Sequence, residues 1–123
     1  MKKIILTVTV VSSLFALSGY DLIEQNGCTA CHAIASKKSA PAFAGIARKN
    51  LRFYGSEAKY NIINSIKNGS QGKYRNFTNT AMPAFDNISS SDLDIIADFI
   101  LSQSSKAKGH GGMGRGMHKG RMF

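Results

Sequence analysis

Apolar side chains recur at helical spacing along the first half of this 123-residue chain. A short helix is predicted over residues 20–26, where Leu22 and Ile23 share one face. A second helix is predicted to begin at Pro41, because proline is favoured in the first turn of a helix, and to end at Gly55. Both helices carry an apolar face that requires a packing partner.

Two further helices are predicted in the second half of the chain, separated by a loop. One runs from an N-cap at Ser56 to the Asn-Gly pair at residues 68–69, which is typical of a helix C-terminus. Residues 70–87, the late loop, show no hydrophobic period and are predicted as an extended loop without a strand. The last helix begins in the capping-box sequence of residues 89–92. Its apolar stripe at i, i+3, i+4 and i+7 consists of Leu93, Ile96, Ala97 and Ile100. The pattern as a whole predicts an all-α fold of about four short helices.

Residues 1–18 have the pattern of a bacterial secretory signal peptide. Lys2 and Lys3 precede a mostly apolar run, and residues 16–18 (Ala-Leu-Ser) supply a small-x-small cleavage site after Ser18. The run is shorter than the ~20 apolar residues that span a membrane, so we favour a cleaved signal over a retained anchor. Export to the periplasm would leave 105 residues, enough for one small domain.

The most specific feature of the chain is the run Cys28-Thr29-Ala30-Cys31-His32. This spacing is typical of c-type haem attachment, in which two thiols form thioethers with the two vinyl groups of the porphyrin and the histidine binds the iron. A zinc site would need further cysteine or histidine ligands, and the remaining histidines lie in the C-terminal tail. A thioredoxin-like site would need alternating strands and helices. We therefore expect one covalent haem c bound through Cys28 and Cys31, with His32 as an iron ligand.

The haem is also expected to stabilise the fold. The chain has 2 cysteines, both in the motif, so it has no cysteine left to form a disulfide. A domain of this size has a marginal apolar core, and a buried porphyrin adds apolar surface to it. We expect the haem-free chain to be largely unfolded.

Residues 20–103 resemble the small soluble class I c-type cytochromes of bacteria. The resemblance rests on the haem motif after a short first helix, on residues 41–43 (Pro-Ala-Phe) at a helix start, on residues 82–84 (Met-Pro-Ala) in the late loop, and on a capped last helix ending in residues 98–101 (Asp-Phe-Ile-Leu). It implies the cytochrome c fold, in which the first and last helices cross and about four short helices surround one covalently attached haem. The class I cytochrome c domain would span residues 19–105.

The resemblance implies two more site residues. The family's axial methionine lies in the late loop, which makes Met82 the sixth ligand of the iron, and its thioether is a soft donor. Pro83 keeps Met82 away from helical geometry. Pro41 resembles the family proline whose carbonyl accepts a hydrogen bond from His32, the haem histidine. The family usually has glycine before this proline, whereas this chain has Ala40, and Pro41 as a simple helix-starting residue stays open as the alternative.

Two axial ligands leave the iron no open position for oxygen or a substrate. We therefore expect a periplasmic electron carrier and no enzyme activity. The alternatives are a haem subunit, an enzyme-like protein or a sensor with a labile sixth ligand, and a metal-handling protein that uses its tail. The single Cys-x-x-Cys-His motif excludes a two-haem peroxidase within this chain.

The formal charge of +9 lies partly outside the predicted domain. Residues 19–105 contain nine basic and seven acidic residues, a net charge of +2. The basic residues all lie between Lys37 and Arg75, whereas four aspartates lie between Asp86 and Asp98. This asymmetry predicts a basic side that attracts redox proteins with acidic docking surfaces, and a solvated surface without a dedicated partner is the alternative. We expect a monomer and, for an exported haem protein, no binding to nucleic acid.

Residues 106–123 change abruptly to a glycine-rich, basic composition and are predicted to be disordered. A plain flexible tail is the favoured interpretation. One alternative is a basic arm that makes weak contact with a membrane surface or an acidic partner. The other is a Cu(I) site, because thioethers and imidazoles suit this ion. Its candidate ligands are His110, Met113, Met117, His118 and Met122.

Overall fold

A computed structural model describes residues 18–107 of the chain. Within them, four α-helices are joined by loops and short 3₁₀ turns, which confirms the predicted all-α fold. The helices are α1 (Gly19–Gln25), α2 (Phe43–Tyr54), α3 (Ala58–Asn68) and α4 (Ser90–Ser102). None of these helices is long and apolar enough to cross a membrane. The predicted signal peptide before Ser18 and the predicted tail from residue 108 onward lie outside the described residues.

Helix α1 begins with a complete capping box formed by Ser18 and Asp21. The Ser18 hydroxyl accepts a hydrogen bond from the Asp21 amide at 3.2 Å, and the Asp21 carboxylate accepts one from the Ser18 amide at 3.2 Å. Leu22 and Ile23 are buried, as their shared face predicted. Cleavage after Ser18 would remove this cap, and the loss of an N-cap destabilises a helix by roughly 1 kcal/mol.

Helix α2 begins later than predicted. Its first residue is Phe43 and its N-cap is Ala42, so Pro41 precedes the helix instead of starting it. The reason is that the Pro41 carbonyl oxygen is engaged by His32 and not by the first turn of α2. The helix ends at Gly55, as predicted.

Helix α3 also begins later than predicted but ends where expected. Gly55–Glu57 form a 3₁₀ turn, so the helix begins at Ala58 and the Ser56 side chain does not cap it. A glycine with a φ of 50° at the start of this turn allows the chain to reverse between α2 and α3 without a longer loop. Asn68 is the last residue of the helix and Gly69 is its C-cap.

The loop after α3 contains a short sheet, so the prediction of a chain without strands is wrong at this point. Strand β1 (Ser70–Gln71) pairs antiparallel with β2 (Ala81–Met82), and Ser70 lies opposite Met82. Each strand has two residues, too few to show an alternating pattern in the sequence. The pairing brings the late loop back to the C-terminal end of α3.

Helix α4 is the centre of the core and packs against each of the other three helices. The Ser89 hydroxyl caps it by accepting a hydrogen bond from the Asp92 amide at 3.2 Å, in agreement with the predicted cap. The predicted stripe is buried, with no member more than 4% exposed. Burial of a large aliphatic side chain contributes about 1.5–3 kcal/mol, so this stripe is a main source of stability.

Helices α1 and α4 cross at close range, as the resemblance implied. A Cβ atom added to Gly19 would lie 2.4 Å from the Cβ atom of Phe99, far closer than packed atoms allow. The Tyr20 ring lies beside the Phe99 ring, with 6.0 Å between the centroids. The crossing therefore depends on the absence of a side chain at Gly19.

We expect Gly19→Ala to destabilise the haem-loaded protein by about 1–3 kcal/mol, because the added methyl group overpacks the crossing. Gly45→Ala is the matched control, since Gly45 lies in α2 and has no atom within 4 Å of an added Cβ. This control should stabilise the protein by about 0.5–1 kcal/mol through helix propensity. Urea unfolding followed by far-ultraviolet circular dichroism measures both changes, and equal effects would contradict the close crossing.

Candidate functional site

A largely apolar cavity of about 330 Å³ lies between α2, α3, α4 and the late loop. Six isoleucine and three phenylalanine side chains contribute to its apolar wall. All five site residues predicted from the sequence line this one cavity, namely Cys28, Cys31, His32, Pro41 and Met82. Residues from distant parts of the sequence are therefore brought together.

A 3₁₀ turn, Cys28–Ala30, positions the two thiols and the imidazole. Gly27, with a φ of 75°, turns the chain out of α1. The Cys28 carbonyl then accepts hydrogen bonds from the amides of Cys31 at 3.2 Å and His32 at 2.9 Å. Both cysteines are free thiols; Cys28 is half-buried, which raises its pKa, and Cys31 is exposed. The turn thus presents two free thiols and one imidazole to the same cavity.

The His32 ring is held in place by stacking and by a hydrogen bond to one of its two nitrogens. The residue is 8% exposed, and its ring stacks on that of Phe43 with 5.0 Å between centroids. Its Nδ1 lies 2.6 Å from the carbonyl oxygen of Pro41. Because a carbonyl only accepts, Nδ1 carries the proton and Nε2 of the neutral ring keeps its lone pair. Burial lowers the pKa of His32, although the hydrogen bond to Pro41 raises it in part. A neutral imidazole with an available Nε2 is the form that binds a metal.

The loop before α2 is tied back to the motif through main-chain atoms. The Ala40 amide donates a hydrogen bond to the Cys31 carbonyl at 3.1 Å. Ala40 stands where the resembling family usually has glycine, and it is only 9% exposed in this turn. The alanine is accommodated, and the contact between His32 and Pro41 is made beside it.

Met82 lies in the late loop and lines the cavity. It lies in β2, is half-buried, and packs against the core together with Phe85 and Ile88. Since His32 lines the same cavity, the fold brings an imidazole and a soft thioether to one apolar space.

One part of the cavity wall is polar, and the sequence did not predict this polar part. Asn50, only 4% exposed, accepts a hydrogen bond from Nδ2 of Asn61 at 2.5 Å, and Nζ of Lys73 donates to Oγ of Ser65 at 2.8 Å. Burial raises the pKa of Tyr74, next to this group, to about 12, so its phenol stays protonated as a donor. Asn50 lies on the buried face of α2 at helical spacing, and this was the signal available in the sequence.

These residues fit a covalently bound haem. Two free thiols match the two vinyl groups of the porphyrin, and an imidazole and a thioether are ligand types that haem iron accepts. The apolar wall suits the porphyrin ring, and the donors of the polar part suit its two carboxylates. The fold and the site together define a small haem protein of the c type.

The chain belongs to the cytochrome c family, since a sequence model described as "Cytochrome c" matches residues 16–104. Cytochromes c carry covalently bound haem c and take part in electron transport, so the predicted cofactor and the predicted electron-transport role are confirmed.

Individual relatives agree with this assignment. The chain is 37% identical to cytochrome c-551 of Pseudomonas aeruginosa over 82 residues, which cover 67% of this chain and 73% of that protein. It is 31% identical to cytochrome c-552 of Hydrogenobacter thermophilus over 102 residues, which cover 83% of this chain and 98% of that protein. The structure is similar to the crystal structure of cytochrome c552 from Nitrosomonas europaea, with a TM-score of 0.60, 33% identity, and coverage of 68% of this chain and 98% of that chain. These findings confirm the resemblance to class I cytochromes and the cytochrome c fold.

We expect removal of the haem to unfold the protein. Without the haem, the apolar wall of this 330 Å³ cavity would lose its contacts and be exposed to water. A small domain has a total stability of only roughly 5–15 kcal/mol, which leaves little to offset this loss. Circular dichroism on heating should show a cooperative transition for the haem-loaded protein and none for the haem-free chain. A cooperative transition of the haem-free chain would contradict this expectation.

Proposed function

We propose that this protein is a periplasmic monohaem electron carrier in which Cys28 and Cys31 bind the haem and His32 and Met82 ligate its iron. The observation that carries the proposal is the meeting of the Cys-x-x-Cys-His motif and Met82 in one apolar cavity. The contact of His32 with Pro41 supports it further, because it leaves Nε2 available for the iron.

The compartment and the domain boundaries belong to the same proposal. Residues 1–18 direct export, residues 19–105 form the haem domain, and residues 106–123 form a basic, glycine-rich tail. The charged and apolar pattern at the N-terminus supports export. The family match over residues 16–104 supports the extent of the haem domain.

In this proposal the protein residues hold and position the haem and catalyse no reaction of a substrate. The bound haem supplies a one-electron couple at its iron. The Pro41 carbonyl orients the His32 ring and increases its donor strength. A histidine and methionine pair favours a higher reduction potential than other ligand sets and leaves no coordination position for a substrate. An electron carrier is therefore the activity that this ligand set supports best.

The polar part of the cavity wall would hold the haem carboxylates. Lys73 contributes a positive charge there, and the protonated phenol of Tyr74 and the amide of Asn50 contribute neutral polar groups. Lys49 lies over the Tyr74 ring, with its Nζ 4.1 Å from the ring centroid, and adds a second positive charge to this side. Cations beside buried carboxylates offset the loss of hydration that burial imposes on them.

We propose that electrons pass through the cavity rim next to Cys31, which is the exposed cysteine of the motif. Lys38 donates a hydrogen bond to the Thr29 carbonyl at 3.0 Å, which places a cation beside the haem motif. Residues 27–85 contain nine basic residues and one acidic residue. A redox partner with an acidic docking surface fits this rim through charge complementarity.

We expect Met82→Leu to abolish the thioether-to-iron charge-transfer band of the oxidised protein. Leucine has a similar volume and preserves the packing of the loop, but it has no sulfur to bind the iron. The reduction potential should fall, and the reduced variant should bind carbon monoxide, which the wild-type protein should not. Near-infrared and visible absorption spectra measure these changes. A variant that retains the band and excludes carbon monoxide would show that Met82 is only a packing residue.

We expect Lys38→Gln to slow electron exchange with a redox protein of strongly negative charge at low salt. The matched control is Lys59→Gln, which removes the same charge from a lysine already paired with Asp94 at 2.7 Å and Asp98 at 3.0 Å. The Lys38 variant should be slowed more than the control, and the difference should vanish near 1 M salt, where the Debye length is about 3 Å. Stopped-flow measurement of the exchange rate against ionic strength tests this. Equal slowing of the two variants would place the docking surface elsewhere.

A further inference from the structure

We propose that Gly69 is a positioning residue that determines how closely the late loop brings Met82 to the iron. The proposal rests on the proposed role of Met82 as the sixth ligand. Gly69 is the C-cap of α3, and it contacts the main chain of the loop at Met82.

The main chain of Gly69 is in direct contact with the main chain of residues 82–84, the methionine segment. A Cβ atom placed on Gly69 would lie 2.6 Å from the carbonyl oxygen of Met82, 3.1 Å from the amide nitrogen of Ala84 and 3.2 Å from the carbonyl carbon of Pro83. All three are main-chain atoms, which cannot rotate away as the end of a flexible side chain can. Only a residue without Cβ allows the segment to lie this close.

The backbone conformation of Gly69 also requires a glycine at this position. Its φ of 77° and ψ of 171° lie in a region that is essentially restricted to glycine. This conformation leads the chain out of α3 directly into β1, where Ser70 pairs with Met82. The same glycine thus ends the helix and admits the methionine segment beside it.

The methionine segment is joined to the end of α3 at two points. Met82 pairs with Ser70 in the two-stranded sheet. Three residues later, the Phe85 amide donates a hydrogen bond to the Ile66 carbonyl at 2.8 Å. Ile66 and Ile62 anchor α3 in the core at 7% and 3% exposure. Helix α3 is therefore a rigid base against which the Met82 segment is held.

A side chain at Gly69 would move this segment by more than a ligand tolerates. The distance between the added Cβ atom and the Met82 carbonyl oxygen would have to increase from 2.6 Å to at least 3.4 Å, which is an ordinary contact distance. Functional groups must be held to within about 0.5 Å of their productive position. The thioether of Met82 would then bind the iron less firmly, and other ligands would compete with it more successfully.

The test compares Gly69→Ala with Gly55→Ala in the haem-loaded protein. Gly55 also has a positive φ, 50°, but it does not line the cavity and an added Cβ there has no atom within 4 Å. Both substitutions introduce backbone strain, and only Gly69→Ala places an atom against Met82. The readouts are the charge-transfer band of the oxidised protein and the affinity of its iron for added imidazole. Urea unfolding followed by far-ultraviolet circular dichroism measures separately how much the backbone strain lowers the free energy of unfolding.

For Gly69→Ala we expect a weaker band and an affinity for imidazole at least about tenfold higher than that of the wild-type protein. For Gly55→Ala the affinity should stay within about twofold of the wild-type value. Equal imidazole affinities of the two variants, with a normal wild-type band, would overturn the positioning role of Gly69 alone. A wild-type protein that lacks the band and binds imidazole as readily as both variants would overturn the proposed role of Met82 as well.

A second measurement applies if Gly69→Ala does not incorporate haem. In the wild-type protein, hydrogen exchange of the Phe85 amide reports the contact of the loop with α3. With increasing urea, this exchange should rise at the concentration at which the charge-transfer band is lost, and before the amides of α4 exchange. Exchange of the Phe85 amide only together with the amides of α4, after the band has gone, would overturn the proposal.

Discussion

The rest of this structure depends on one constraint, which is that a small helical chain must enclose a cofactor larger than any of its side chains. The helices pack around α4 and leave an apolar cavity of about 330 Å³ between α2, α3, α4 and the late loop. Helix α4 supplies one wall through Ile96 and Ile100, and α2 and α3 supply others. Helix α1 lies outside the wall and holds α4 through the crossing at Gly19. In a domain of this size the haem is part of the core rather than an addition to it.

The two sides of the cavity are built in different ways. The side of His32 is local, because residues 28–41 contain both thiols, the imidazole and its acceptor, joined by short-range hydrogen bonds. The side of Met82 is non-local, because it depends on the approach of the late loop to the end of α3. Covalent bonds would secure the first side, whereas one coordinate bond and a close main-chain contact at Gly69 would secure the second.

This difference also explains which features could be predicted from the sequence. The haem motif and the cap of α4 at Ser89 were predictable, because adjacent residues carry the whole signal. The role of Gly69 was not, since an Asn-Gly pair marks a helix end in any protein and its contact with Met82 arises only when the loop folds back. The two-residue strands have no period to detect, and the polar part of the cavity wall joins α2 to residues far along the chain. Ser18 was interpreted as a cleavage-site residue because a small polar residue suits both a cleavage site and an N-cap.

The short span of the His32 side along the chain has a consequence for biogenesis. Every group needed for covalent attachment lies within residues 28–32, so the haem can be joined to a chain whose helices have not yet packed. The attached porphyrin then serves as a template around which α2, α3 and α4 collapse. The Met82 side would need a finished α3 to rest on, so it would close after the His32 side. With Met82 as the proposed sixth ligand, this side could open and close again while the thioethers to Cys28 and Cys31 keep the cofactor in place.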